Sequence, residues 1–112
     1  MMETIKGIRH LFDTADAEGI GFRFDGSDLV LNFTDWHAIK QEVTFPDAIY
    51  VAWGVTADSR FRFDSPHEIV NSERIRNLPD QETGRHHYML CFNAASNLEV
   101  VSQELRITKK ES

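Results

Sequence analysis

The sequence contains a single cysteine, Cys91, so no disulfide can form within the chain. It has no apolar run approaching the ~20 residues that a membrane-spanning helix needs. The N-terminal segment carries charges throughout and lacks an apolar stretch, which excludes a secretory signal peptide. These absences favour a cytoplasmic protein without a membrane partner.

Basic residues are scarce, since 12 Lys and Arg stand against 18 Asp and Glu, for a net charge of −6. The imbalance lies in the first half, where residues 1–50 contain nine acidic and four basic side chains. A surface of this sign repels phosphate backbones and anionic lipids at long range. The charge therefore argues against nucleic-acid binding and is compatible with a protein partner that has a basic surface.

Motifs for catalysis and cofactor binding are also missing. There is no G-x-S-x-G elbow, no G-x-G-x-x-G or phosphate-binding loop, and no paired C-x-x-C or H-x-x-x-H spacing. We therefore predict no catalytic residue, no cofactor and no metal site.

One metal alternative stays open on the strand predicted around residues 85–93. His86 and His87 are adjacent there and point to opposite faces, so they cannot share an ion. His87, Met89 and Cys91 share one face, and an imidazole, a thioether and a thiolate suit a soft metal such as Cu(I). We favour a packed strand face with Cys91 as a buried structural thiol, because Met and free Cys are common core residues.

Aromatic side chains, by contrast, are plentiful. Hydrophobic residues make up 41% of the chain and include 8 Phe, 2 Trp and 2 Tyr. A chain of 112 residues buries roughly two thirds of its surface on folding, which is enough for one core. We predict a single domain over residues 1–112.

Alternation with a period of two predicts strands over most of the chain. In the first strand, Ile20, Phe22 and Phe24 form a stripe that we expect to be buried. The tetrapeptide FRFD that ends this strand recurs at residues 61–64 and predicts a second strand of the same kind. Two further strands are predicted from the apolar stripes Leu29, Leu31, Phe33 and Ile39, Val43, Phe45. The sequence AIYVAWGV is apolar on both faces and therefore predicts a central strand. A C-terminal hairpin is predicted from Tyr88, Leu90 and Phe92, a turn at residues 94–97, and a returning strand with Val101, Leu105 and Ile107 and a bulge near Ser102.

The turn between the first two strands is predicted from Asp25-Gly26-Ser27-Asp28. A turn centred on Gly26 and Ser27 would set Asp25 opposite Asp28, and like charges in that position are unfavourable. We therefore favour a turn centred on Asp25 and Gly26, which keeps the same residues on each face of the strands.

The segment after residue 64 allows two interpretations. Ser65 could begin a helix as part of a capping box. We prefer a strand at residues 67–70, followed by a helix that Ser72 caps and that ends at Pro79, because Asn71 and Ser72 are poor helix-interior residues. A loop is predicted for residues 79–84.

The N-terminal segment is equally ambiguous. Ile5, Ile8, Leu11 and Phe12 match one face of a helix. Gly7 weakens that interpretation, so a strand or an ordered coil around residues 8–12 stays open.

Four stretches carry a resemblance to known proteins: FDGSDLVLNFTDWHAIKQEVTF, AIYVAW, IVNSERIRNL and HHYMLCFNAASNLEVVS. Together they cover roughly residues 20–102. Their pattern of strands and turns resembles a group of small bacterial β-rich domains to which no activity is assigned. Some small bacterial proteins with a similar sequence pattern are immunity proteins that sequester a toxin. The resemblance implies an assembly of paired strands and carries no catalytic residue.

We expect an α+β fold, predominantly an antiparallel sheet of six to seven strands, curled or folded as a sandwich, with one short helix and an optional N-terminal helix. For function, we predict a non-enzymatic binding module that recognises a basic protein through its acidic first half. A homodimer stays open. The alternative is a small-ligand pocket or minor enzyme that uses Trp36, Trp53 and the histidines His10, His37, His67, His86 and His87.

Overall fold

A computed structural model of the protein describes residues 2–62, 64–78, 84–92 and 97–111. These residues form nine strands and one short helix. In chain order the elements are β1 (Thr4–Gly7), β2 (Glu18–Asp25), β3 (Asp28–Thr34), β4 (Ile39–Phe45), β5 (Tyr50–Trp53), β6 (Pro66–Val70), α1 (Glu73–Arg76), β7 (His86–Cys91), β8 (Asn97–Ser102) and β9 (Arg106–Glu111). The predicted loop at residues 79–84 and the predicted turn at residues 94–97 lie largely outside the described residues.

The strands form two sheets. A five-stranded sheet has the order β1-β6-β7-β8-β5, and a four-stranded sheet has the order β2-β3-β4-β9. All neighbouring strands run antiparallel. The predicted class, mainly antiparallel β with one short helix, is therefore confirmed in outline. The strand count is higher than predicted, and the helix has only 4 residues.

The inner faces of the two sheets pack against each other. Phe45 of β4 lies over Tyr88 of β7, and Phe33 of β3 meets Phe92 just beyond β7, both with ring centroids 5.6 Å apart. The Tyr88 hydroxyl accepts a hydrogen bond from the backbone N–H of Leu105 at 3.2 Å, and burial raises the pKa of this phenol to about 12. The core is therefore aromatic, as the composition predicts, and its phenol is satisfied.

The outer face of the five-stranded sheet carries a smaller apolar cluster. Ile69, Met89 and Cys91 are buried there beneath side chains of the β5–β6 loop. Helix α1 lies over the neighbouring part of this face, where the guanidinium carbon of Arg74 stands 4.0 Å from the centroid of the Tyr50 ring. Both faces of this sheet are therefore covered near its centre.

The β2–β3 turn differs from the predicted one. Asp25 pairs with Asp28, so the turn is centred on Gly26 and Ser27. Gly26 has a φ of 68° while the φ of Ser27 is not positive, which is the pattern of a type II′ turn. The backbone N–H of Asp47 donates to the Asp28 carboxylate at 3.0 Å, and this bond offsets the repulsion that argued against the observed register.

We expect Gly26→Ala to lower the free energy of unfolding by about 1 kcal/mol, because an L side chain is strained at positive φ. Gly21→Ala is the matched control on β2, since Gly21 has no positive φ and an added Cβ would meet no atom within 4 Å. That control should change the stability by less than about 0.5 kcal/mol. Urea denaturation measures both, and equal losses would contradict the assigned turn.

The stretch AIYVAWGV forms an edge strand rather than the predicted central one. β5 pairs with β8 and ends the five-stranded sheet. Its two faces are apolar for different reasons, because Val51 packs on the core while Tyr50 lies under Arg74. An edge strand that is covered on both faces is apolar on both faces, as a central strand is. The prediction of a central strand was therefore wrong.

The second FRFD is not a strand in its described residues. The Asp58 carboxylate accepts hydrogen bonds from the backbone and side chain of Arg60, and the Asp58 carbonyl accepts one from the N–H of Phe61 at 3.2 Å. The next N–H, of Arg62, donates to His67 Nε2 at 2.9 Å. These local bonds engage the donors that a sheet would need, so the predicted strand is replaced by a turn.

The C-terminal hairpin is divided between the two sheets. The chain leaves β8 after Ser102, and the N–H of Gln103 donates to the carbonyl of Pro46 at 2.8 Å, beside the four-stranded sheet. β9 then pairs with β4. The change in apolar phase that we attributed to a bulge therefore marks a crossing from one sheet to the other.

The N-terminal helix is also absent from the described residues. Thr4–Gly7 form β1 on the edge of the five-stranded sheet, and a turn follows in which the N–H of Leu11 donates to the carbonyl of Ile8. Ile8 and Phe12 are both buried in the core. A turn places residues four apart on one side just as a helix does, so the ordered-coil alternative describes this segment.

The shorter helix is confirmed in its start and its cap, but it ends at Arg76 instead of continuing to Pro79. β6 covers Pro66–Val70, and α1 follows Ser72, whose hydroxyl accepts a hydrogen bond from the N–H of Ile75 at 3.3 Å, as an N-cap does. The alternative helix beginning at Ser65 is wrong, because the residues after it pair with β1 and β7.

Candidate functional site

The aromatic stripe of β2 is exposed, contrary to the prediction. Phe22 and Phe24 have 40% and 59% of their surface accessible, although Leu31 and Leu29, the residues paired with them, are fully buried. β2 is an edge strand, so its inner-face side chains lie at the margin of the core. The facing sheet ends at the short strand β5, which leaves this margin partly uncovered.

Two residues of the facing margin are exposed as well. Ile49 and Trp53 are 40% and 44% accessible, and the Trp53 ring lies 5.3 Å from Phe22 and 6.2 Å from Phe92. The two sheets thus leave four large apolar side chains exposed where their edges meet, with Phe22 and Trp53 in contact. We call Phe22, Phe24, Ile49 and Trp53 the aromatic seam.

Three carboxylates flank one end of the aromatic seam. Asp25 and Asp28 face each other across the β2–β3 turn, and the backbone of Asp47 is bonded to Asp28. The N–H of Ala48 donates to the carbonyl of Ser27 at 2.9 Å, so the chain enters β5 beside this turn. We call Asp25, Asp28 and Asp47 the acidic turn, and no ion pair among the side chains that the structure describes neutralises them.

A second candidate is a cleft of about 610 Å³ on the outer face of the five-stranded sheet. It lies between α1 and the β5–β6 loop, and we call it the outer cleft. His87 and Glu99 form part of its floor, with Arg74 and Arg60 on opposite walls.

Hydrogen bonds join three side chains at the outer cleft. His87 Nε2 lies 2.6 Å from a carboxylate oxygen of Glu99, and His87 Nδ1 lies 2.6 Å from the hydroxyl of Ser72. A carboxylate only accepts hydrogen bonds, so Nε2 carries a proton. The hydrogen bond from His87, assisted by the charge of Arg74, holds the pKa of Glu99 below its usual value despite the opposing effect of burial.

The hydrogen-bonded series Ser72, His87, Glu99 has the order hydroxyl, imidazole, carboxylate that hydrolases use. The hydroxyl of Ser72, however, does not face the outer cleft. Ser72 is 3% exposed, does not line the cleft, and accepts the N–H of Ile75 that it caps. A nucleophile must reach its substrate. The three side chains therefore anchor α1 to β7 and β8.

Arg60, Glu3 and Asp58, which also line the outer cleft, are engaged with one another. The Arg60 guanidinium donates to Glu3 and Asp58, and Glu3 accepts a further bond from the N–H of Glu73. The bond from Glu73, and then that from Arg60, hold the pKa of Glu3 below its usual value. A polar ligand would have to break these pairs before binding to the described groups.

The tryptophans and histidines of the alternative prediction do not converge on one pocket. Trp36 lies against His37, with centroids 3.6 Å apart and ring planes tilted by 35°, and donates to Asp13, whereas Trp53 belongs to the aromatic seam. Of the other histidines, His10 and His86 line one cavity of about 340 Å³, where His86 pairs with Glu68. His67 is buried beside Met89, and His87 lies at the outer cleft.

For the face of β7 with His87, Met89 and Cys91, the sequence allowed either a metal site or a packed face. Two of these three residues are packed against other side chains. Met89 and Cys91 pack on Ile69, while His87 bonds to Glu99. Burial raises the pKa of the Cys91 thiol to about 11, and the predicted buried thiol is confirmed. Within the described residues, no three His, Cys, Asp or Glu side chains are grouped to hold a metal ion.

No family model, curated protein or solved structure matches this chain. The aromatic seam with its acidic turn and the outer cleft are the two surfaces from which a function can be inferred. In the part of the chain that the structure describes, no helix is long and apolar enough to cross a membrane.

The exposure of the aromatic seam had one signal in the sequence. Gly19 and Gly21 interrupt β2, and glycine inside a strand often marks a bulge, which the structure shows between Glu18 and Gly21. Bulges are common at the edges of sheets. The association of Ser72 with Glu99 through His87 had no such signal, because only the pairing of β7 with both β6 and β8 brings their segments together.

Proposed function

We propose that this chain is a non-enzymatic binding module that recognises a basic protein through the aromatic seam and the acidic turn. The observation that carries the proposal is the exposure of four large apolar side chains on facing sheet margins. Contiguous exposed apolar surface in a soluble domain is typical of an interaction site.

The composition of the aromatic seam supports a protein partner. Aromatic residues dominate interface energetics, because each buries a large area at a small cost in conformational entropy. Trp53 and Phe22 already contact each other at 5.3 Å, so the surface is partly organised before binding.

The acidic turn supports a basic partner. The free carboxylates of Asp25 and Asp47 lie at one end of the aromatic seam, in the half of the chain with nine acids against four bases. Charges at the rim of an interface guide association and select against partners of the same sign. The immunity role suggested by the resemblance is the specific form of this proposal, in which the partner is a basic toxin held in the cytoplasm.

A small-ligand or enzymatic function at the outer cleft is the second candidate. The convergence of His87 and Glu99 in a cleft favours it, since titratable groups gathered in a cleft are typical of active sites. Their engagement with Ser72 and Arg74 disfavours it, so we place the binding function first.

The test uses variants of the aromatic seam. The wild-type chain captures candidate partners from an extract of its host, and each recovered protein is purified for affinity measurement. We expect a basic partner whose affinity falls about 30-fold with Phe24→Ser or Trp53→Ser, because hot-spot aromatics contribute about 2 kcal/mol. The affinity should also fall as the salt concentration rises.

Trp36→Ser is the matched control, since Trp36 is 55% exposed but lies outside the aromatic seam. It should leave the affinity within about twofold of wild type. Thermal unfolding of all three variants verifies that they are folded. The proposal is rejected if every recovered partner binds the seam variants as tightly as the control.

A further inference from the structure

The backbone of β2 offers hydrogen-bonding groups along the same margin as the aromatic seam. Asp25 and Asp28 flank a two-residue turn and exchange hydrogen bonds, and bonded and non-bonded pairs alternate along an antiparallel ladder. Asp25, Arg23 and Gly21 therefore direct their N–H and C=O groups toward β3. Phe22 and Phe24 direct theirs away from it, and within the described residues no other strand pairs with that edge.

Two residues consequently combine two kinds of contact. Phe22 and Phe24 present backbone donors and acceptors at the free edge of β2, and they present their rings on the inner face. A residue placed opposite either one in an antiparallel pair would exchange both backbone hydrogen bonds and direct its own side chain onto the aromatic seam.

We propose that the partner inserts an extended segment that adds to the four-stranded sheet as an antiparallel strand beside β2. The inference rests on the proposed binding function and specifies its mode. Apolar residues of the segment lie opposite Phe22 and Phe24, where they cover the seam. Basic residues lie at the end that passes the acidic turn, because three carboxylates are gathered there.

β2 is the edge best suited to such an addition. It has 8 residues, whereas β9 at the other edge of the same sheet has 6, and the edge strands β1 and β5 of the other sheet have 4 each. Its residues Gly21–Asp25 keep one register with β3, before an irregularity toward Glu18, and span about 17 Å, enough for hydrogen-bonded pairs to an added strand at both Phe22 and Phe24. Gly21 leaves open space above the backbone, with no atom within 4 Å of a would-be Cβ.

Arg23 fixes one further feature of the segment. Its side chain lies on the outer face of β2, 3.8 Å from Glu42, so the residue opposite it should be neutral. Asp25 is the next residue on that face, and a lysine opposite Asp25 would face a carboxylate. Because the segment runs antiparallel to β2, its basic residue opposite Asp25 comes before its neutral residue opposite Arg23.

The test uses a peptide designed from this geometry, with the sequence KVKVTVTV. Its third residue, lysine, lies opposite Asp25, and its fourth and sixth residues, both valine, lie opposite Phe24 and Phe22. N-methylation of those two valines should weaken binding at least about 30-fold, because it removes the N–H groups that face β2. N-methylation of the two threonines, whose N–H groups face solvent, should leave the affinity within about threefold.

Two further measurements identify the site. Hydrogen exchange at the amides of Phe22 and Phe24 should slow at least about tenfold in the complex, while the already bonded amide of Arg23 changes much less. The peptide EVEVTVTV should bind at least about tenfold more weakly, since its glutamates face the acidic turn.

Several results would overturn the inference. If KVKVTVTV shifts the Trp53 fluorescence but tolerates both methylation patterns equally, strand addition is wrong while the proposed function stands. If the peptide does not bind at about millimolar concentration, strand addition is wrong as well. If the amides of Phe22 and Phe24 are protected in a dimer of the chain alone, the occupant is a second copy. The proposed function fails separately, through a natural partner that ignores the seam variants.

Discussion

Phe45→Ala should lower the free energy of unfolding by about 4 kcal/mol, because removal of a buried phenylalanine ring loses apolar burial and leaves a cavity. Phe45 is fully buried and packs on Tyr88 in the centre of the core. Close packing from both sheets limits how far the neighbouring side chains can move to fill the space.

Phe24→Ala is the matched comparison, since the same atoms are removed from a residue that is 59% exposed. It should lower the stability by less than about 1 kcal/mol. Chemical denaturation of both variants measures the difference. Similar losses would mean that Phe24 is part of the core, and the aromatic seam would then have no claim to be a binding surface.

Glu99→Ala should lower the free energy of unfolding by about 3 kcal/mol at neutral pH, because it leaves His87 buried without the acceptor for its Nε2 proton. The side chains of Glu99 and His87 are only 13% and 5% exposed. The loss also frees Arg74, but that pair is longer, at 3.6 Å, and contributes less.

The effect of Glu99→Ala should depend on pH in one direction. The pKa of Glu99 is lowered from 4.5 in the folded state, chiefly by His87, so the unfolded chain binds a proton at Glu99 more readily. The stabilisation is therefore fully present above pH 4.5 and is lost as the pH falls through the lowered folded value. Denaturation at several pH values should show the wild type and the variant converging in acid.

Glu68→Ala provides the control for this prediction. Glu68 accepts from His86 at the same distance of 2.6 Å, but these side chains are 20% and 27% exposed. Solvent replaces part of the lost interaction, so the expected loss is about 1 kcal/mol. If both variants lost the same free energy, burial would not distinguish the two pairs, and the anchoring role of the Ser72–His87–Glu99 chain would be wrong.

The sequence predicts individual strands better than their placement. The alternation in β3, β4 and β7 predicts each strand and its buried face, because a strand that faces a core is apolar at every second residue. β5 shows the limit of this signal. Its Tyr50 is covered by Arg74, and in the sequence it cannot be distinguished from a tyrosine covered by a second sheet. The division between β8 and β9 was recognisable as a change of phase, but a phase change alone does not say which sheet the chain joins.

The candidate site is harder to predict for the same reason. Phe22 and Phe24 satisfy the pattern of a buried stripe, and only the short length of β5 opposite them leaves them exposed. A pattern of alternation contains no information about the extent of the facing sheet. The acidity of the first half, in contrast, was visible from composition, but the position of Asp25 opposite Asp28 was not, since the predicted turn was centred one residue earlier.

The pairing of distant segments has a consequence for how the molecule is made. Thr4 pairs with Val70 and Val43 with Ile107, so each sheet takes one edge strand from far along the chain. Such high contact order slows folding to the millisecond-to-second range. The meander β2-β3-β4 leaves the ribosome before β7 and β8, and until these are synthesised its apolar face stays uncovered and open to chaperones.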